Sequence, residues 1–133
     1  MTKGIRITFR VLFCLYLAGV LFLCFGHFES TQDFPNTFLG IPMDKVVHFC
    51  LFFPFPILAF LAFDRFTDTV PATLRFTGIT FLAGLLMALG TEWGQASLTT
   101  HRAGEPLDLL ADTIGLILGS LLVLWLDIRK QRR

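Results

Sequence analysis

What this sequence has least of is charge. Asp, Glu, Lys and Arg make up 16% of its 133 residues, against roughly a quarter in an ordinary soluble domain. The charges nearly cancel, to a net +1, so a nucleic-acid partner is not expected. Cysteine is also scarce. Cys14, Cys24 and Cys50 are odd in number, lie inside apolar runs and form no CxxC pair, which excludes a disulfide framework or a thiolate metal site. They are expected to be inert apolar fillers. His48, Glu92, Asp108 and Asp112 could supply oxygen and nitrogen ligands, but no HExxH or comparable ligand spacing occurs, so neither a metal nor a cofactor is expected. Strand-like alternation is missing as well, which argues against a membrane β-barrel. There is no internal repeat, low-complexity stretch or soluble domain.

What is present is apolar. Hydrophobic residues reach 54%, mean hydropathy is +0.69, and there are 16 Phe. A soluble chain of this length could not bury that much apolar surface. Four apolar segments stand out, at about 11–28, 46–63, 76–93 and 107–126. A helix needs about 20 residues to cross the hydrocarbon core, and each segment is close to that length. Backbone without water must close its hydrogen bonds internally, so the segments are read as helices. The expected fold is an all-α membrane protein, a bundle of four transmembrane helices forming a single domain over residues 1–133. Pro54 and Pro56 should disturb the second helix, because each removes a backbone donor.

The basic residues orient the bundle. Lys3, Arg6, Arg10, Arg65, Arg75, Arg129, Lys130, Arg132 and Arg133 fall on one side, and only Lys45 and Arg102 on the other. The positive-inside rule then places both termini in the cytoplasm of a bacterial inner membrane. The loops 29–44 and 94–106 face outward, and the end of the chain from Asp127 reads as a short cytoplasmic anchor. The first segment has a basic start, but its apolar stretch exceeds the roughly 7–15 residues of a signal peptide and no A-x-A-like site follows. Its Leu21-Phe22-Leu23-Cys24 run puts a large residue where a lipoprotein box wants a small one. The segment is expected to remain.

Against this background the polar residues within the segments become informative. The uncharged part of the fourth segment, 113–126, is too short to cross alone. The helix must therefore start near Leu107, which puts Asp112 about 7–8 Å inside its outer end. A carboxylate there normally faces protein or a water-filled cavity. Asp108, Asp112, Gly115 and Gly119 share one helix face, and Gly115-x-x-x-Gly119 permits close helix approach, either within the chain or in a homodimer. On the third segment Gly84, Ala88, Glu92 and Gln95 form a similar stripe. The second opens with Asp44, Lys45 and His48, where Asp44 and His48 are i and i+4. The topology brings Asp44, Lys45, His48, Glu92, Gln95, Arg102, Asp108 and Asp112 to one membrane level, while the opposite halves of the helices carry almost nothing ionisable. An outward-facing polar pocket is the economical reading.

These residues give the chain its resemblance to the VanZ-like family of small bacterial membrane proteins. The carrying features are Asp44-Lys45-x-x-His48 opening one helix, Glu92-x-x-Gln95 closing the next, then Arg102, Asp108 and Gly115-x-x-x-Gly119. They span residue 44 to about 120. The family pattern favours Asn where this chain has Asp112, so a role for that position does not carry over directly. The founding member is associated with resistance to the glycopeptide teicoplanin. The resemblance therefore implies a cell-envelope setting and supplies no reaction.

Two kinds of function follow. In the first, the pocket binds or modifies a lipid-linked or anionic envelope substrate, such as a lipid-linked cell-wall precursor. His48, Glu92 and Asp112 are then the candidate catalytic residues, with Asp44 orienting His48. Asp44, Lys45, Gln95, Arg102 and Asp108 bind the substrate, Lys45 and Arg102 holding phosphate or carboxylate. No nucleophile motif accompanies them. In the second, the protein is non-catalytic: a proton or ion relay, or a structural accessory in envelope stress or the glycopeptide response. Membrane lipids are the constant partner in both.

Overall fold

A computed structural model describes residues 1–26, 37–100 and 104–133, with every side chain in those stretches but that of Arg65. Its α-helices are α1 (Lys3–Phe25), α2 (Met43–Phe52), α3 (Pro54–Phe63), α4 (Val70–Leu98) and α5 (Pro106–Gln131). Four spans are long and apolar enough to cross a membrane, α2 and α3 acting together as one. Large side chains such as Leu15, Phe22, Leu86 and Trp93 are mostly exposed. A soluble protein would cover such a surface, and a bilayer solvates it.

The helices outrun the apolar segments. Arg6 and Arg10 lie inside α1, and Arg129 and Lys130 inside α5. Basic side chains near helix ends reach the polar headgroups, so the backbone can stay helical past the hydrocarbon boundary. At its other end α1 is shorter than expected, stopping at Phe25 because Gly26 turns to extended dihedrals. Hydroxyls cap two starts: Thr2 accepts from the Ile5 amide at 3.4 Å and Thr69 from the Ala72 amide at 3.3 Å.

The prolines act as expected. Helical hydrogen bonding is interrupted at Phe53, which itself keeps helical dihedrals (φ −57°, ψ −43°). The missing donors loosen the ladder, and the Tyr16 hydroxyl of α1 donates to the Leu51 carbonyl. Ahead of α2 lies a small hairpin, β1 (Thr37–Phe38) and β2 (Ile41–Pro42), paired antiparallel with Thr37 opposite Pro42. Leu39 and Gly40 turn it with positive φ, 51° and 80°.

The α5 helix packs along α2 and α4, and α1 packs along α3. Gly115 and Gly119 make the first contact possible. A Cβ on Gly115 would lie 2.7 Å from the Phe49 carbonyl oxygen, and one on Gly119 2.4 Å from that of Phe53. The motif thus serves the intrachain alternative weighed from the sequence, and α2 and α3 occupy its face. The apolar core beside it is built from Val20, Cys24, Phe52, Phe55, Ala88 and Leu116.

Both termini share one end of the bundle with the short 3-10 turn Asp64–Phe66. Arg6 Nε is 2.9 Å from Asp64 Oδ1, and Gln131 donates to the Thr67 carbonyl at 3.0 Å. The hairpin lies at the opposite end. Two expectations change here. The C-terminal anchor does not leave the bundle at Asp127, because α5 continues to Gln131. The termini end also holds buried polar groups. Asp127 is 4% exposed and accepts from the Thr73 hydroxyl at 2.6 Å and the Gln131 amide at 2.9 Å. These internal bonds let a carboxylate remain in the bundle.

Candidate functional site

Three helix ends meet at the hairpin end. The first two turns of α2 supply Asp44, Lys45 and His48. The last turns of α4 supply Glu92 and Gln95, and the first turns of α5 supply Asp108 and Asp112. Pro106 starts α5 and sets its register, so Asp108 and Asp112, four apart, both face α2 across the glycine contact.

His48 lies at the centre, 5% exposed. Its Nδ1 is 2.9 Å from Asp112 Oδ1, and its Nε2 is 3.4 Å from Asp108 Oδ2. Asp112 is fully buried. Lys45 Nζ gathers three carboxylates: Asp44 at 2.6 Å, Glu105 at 2.5 Å, and Asp108. Glu92 Oε2 accepts from the Glu105 amide at 2.9 Å, which ties α4 to the start of α5. One ligand atom each from His48, Glu92 and Asp108 falls within 4.8 Å of the others. Gln95 turns toward α1, its amide donating to the Cys24 carbonyl at 2.9 Å.

His48, Glu92, Asp108 and Asp112 therefore converge, with Lys45 beside them. The partner of His48 is not Asp44. Asp44 bonds Lys45 and leaves 55% of its side chain exposed. Its i, i+4 spacing puts it on the right face, but it stands a turn closer to the surface, where the nearby ammonium competes for it. Lys45 is likewise no free anion clamp, because three carboxylates already engage it. Arg102 lies outside the described residues. Sequence reasoning gave Glu105 no role, since a loop acid before a proline carries no signal of the lysine it meets.

Several buried oxygens lack a partner among the described residues: Glu92 Oε1, Gln95 Oε1 and Asp112 Oδ2. Five carboxylates (Asp44, Glu92, Glu105, Asp108 and Asp112) surround one described lysine and one histidine. The cluster is thus rich in acceptors and negative in charge.

Next to the cluster, an apolar groove with a cavity volume of about 630 Å³ runs between the hairpin, α2 and α5. Phe38, Ile41, Val46, Phe49, Leu110 and Ile114 line it, and Lys45 joins them at its polar edge. This groove has no signature in the sequence, because it depends on how the hairpin is placed over α2. A second cavity, about 440 Å³, lies at the termini end among Arg6, Asp64, Thr67, Asp127 and Gln131.

The fold and the cluster define a multi-pass helical membrane protein with an ionisable site at one end of its bundle. A family model, VanZ/LLP1, matches residues 9–127, and the chain belongs to that family. No curated protein and no solved structure matches it.

Proposed function

We propose that this VanZ-family protein binds the polar head of a lipid-anchored envelope molecule in the cluster at the hairpin end, with the lipid chain in the adjoining groove. The observation that carries this reading is Lys45. Its stem lines the apolar groove while its ammonium joins the acidic cluster. The apolar groove and the polar cluster thus adjoin at this one residue, an arrangement that would suit an amphiphile. His48 and Glu92 are the groups proposed to meet a bound head, with Asp112 orienting His48, and Arg102 is the proposed cation for its phosphate or carboxylate. The charge count supports an orientation with this end outside the bacterial inner membrane and both termini in the cytoplasm.

A relay of ions across the bilayer is the weaker reading. It would have to cross the apolar core of Val20, Phe52, Ala88 and Leu116, which contains no Asp, Glu, His, Lys or Arg among the described residues.

The test is native mass spectrometry of the protein in nanodiscs, loaded with a lipid-linked cell-wall precursor or with phosphatidylglycerol. The wild type should retain the precursor in preference. Ile114→Trp, filling the groove, and Arg102→Ala, removing the head cation, should each weaken retention on the order of tenfold, about 1.4 kcal/mol. Equal retention of both lipids by the wild type and both variants would sink the proposal.

A further inference from the structure

We propose that His48, Glu92 and Asp108 form a binding site for a divalent first-row transition-metal cation, with Asp112 as the carboxylate that fixes the imidazole. The argument begins with the two faces of the His48 ring. A carboxylate oxygen accepts, so the 2.9 Å contact to Asp112 makes Nδ1 the donor. With Nε2 deprotonated, as a metal ligand requires, its lone pair faces the carboxylate of Asp108, and Glu92 lies close by. Metal-bound histidines characteristically donate their second ring N–H to a carboxylate in this way, which orients the ring and raises its basicity.

The spacing agrees. Nε2 and Asp108 Oδ2 are 3.4 Å apart, long for a charge-assisted hydrogen bond. Two ligands each about 2.0–2.1 Å from a tetrahedral metal stand about 3.4 Å apart. Glu92 brings a third ligand atom within 4.8 Å of the other two.

An independent observation points the same way. Asp112 is fully buried, and its Oδ2 has no partner among the described residues, nor has the buried Oε1 of Glu92. Groups of one sign are concentrated where the bundle meets the bilayer, and unbalanced buried charge is expensive. A divalent cation between His48, Glu92 and Asp108 would balance what Lys45 leaves over. One imidazole and two carboxylates suit zinc, manganese or iron better than calcium or magnesium, which favour all-oxygen shells.

Three protein ligands leave at least one coordination position open. This part of the inference rests on the lipid-head reading: an anionic head oxygen could take the open position, which explains how an acidic pocket would accept an anion. His48 then acts as a ligand and not as a free acid or base.

The experiment uses purified full-length protein in detergent or nanodiscs, stripped with a chelator and dialysed against Zn²⁺, Mn²⁺ or Co²⁺, without any lipid-linked ligand. Elemental analysis of the wild type should find about one equivalent, and the Co²⁺ form should show d–d absorption in the visible. Glu92→Gln and His48→Ala should each lower affinity at least tenfold. Asp112→Asn, acting only through the imidazole, should lower it 10–100-fold and alter the Co²⁺ spectrum. Should His48→Ala fail to fold, Glu92→Gln and Asp108→Asn carry the same test. Less than a tenth of an equivalent in the wild type, or a stoichiometry and spectrum unchanged in the variants, would overturn the site. Because no lipid ligand is present, that failure leaves the lipid-binding reading to its own test.

Discussion

Tyr16 is the only tyrosine in the chain, and its hydroxyl sits where α2 gives way to α3. Pro54 and Pro56 withhold the amide donors that the Cys50 and Phe52 carbonyls would otherwise meet, and between these two the Tyr16 hydroxyl reaches across from α1 to the Leu51 carbonyl. In hydrocarbon no water can substitute for it. Tyr16→Phe keeps the ring and removes only the donor, so it should lower stability by about 0.5–1.5 kcal/mol, the usual range for one such bond. Unfolding in rising SDS, followed by circular dichroism, measures this; an unchanged midpoint would mean that the hydroxyl contributes nothing. Individual residues also show how far a sequence can be read. His48, Glu92 and Asp112 stood out because ionisable groups in a span have few tolerable surroundings. The Asp44–His48 pair did not materialise, because linear spacing shows only partners on the same helix and the partner here is on α5. Asp127 reads as part of the tail, beside the basic Arg129 and Lys130. Its burial depends on Thr73, more than fifty residues earlier, and no local pattern announces that.

At the level of elements, the helices themselves were legible and their ends were not. Apolar length fixes where a span must exist, whereas its ends depend on headgroup contacts and on capping by Thr2, Thr69 and Gly26. The α5 glycines show what a motif can decide. From sequence, Gly115-x-x-x-Gly119 reads first as an internal contact and second as a dimer seam, and the motif alone does not separate them. The close approach of the Phe49 and Phe53 carbonyls occupies that face within the chain. Gly119→Ala would press a methyl into backbone oxygen and the Pro56 ring, and neither can swing aside as a flexible side chain would. A stability loss of about 1–3 kcal/mol is expected. Gly78→Ala and Gly90→Ala on α4, where nothing lies within 4 Å, should be neutral or slightly stabilising, since Ala is the better helix former. Thermal aggregation midpoints of the three variants, read beside their size-exclusion profiles, make the comparison. If Gly119→Ala altered only a dimer–monomer ratio at constant midpoint, the packing argument would be wrong.

At the scale of the whole molecule, the two ends of the bundle differ in kind. At the termini end, Arg6–Asp64 and the Asp127–Thr73–Gln131 set pair polar groups with one another. At the hairpin end, acceptors outnumber donors among the described residues, and carboxylate oxygens of Glu92 and Asp112 lack a described partner, whereas the other orphans away from this end, Thr77 and Ser120, are uncharged hydroxyls. A lock needs its groups satisfied, while a binding site needs some left over for a ligand. On that ground the hairpin end, and not the smaller cavity among Arg6 and Asp127, is where an envelope molecule should dock. The assignment requires that this end face away from the cytoplasm, and the nine-to-two division of basic residues favours it. Leu39, 87% exposed at the hairpin tip, offers a direct probe. In a chain with Cys14 and Cys50 changed to Ser and Cys24 to Ala, Leu39→Cys should react with a membrane-impermeant maleimide in intact cells. Arg133→Cys should react only after the cells are opened. The reverse pattern would place the cluster in the cytoplasm, where no lipid-linked molecule of the outer leaflet could reach it, and the proposed function would fall with the orientation.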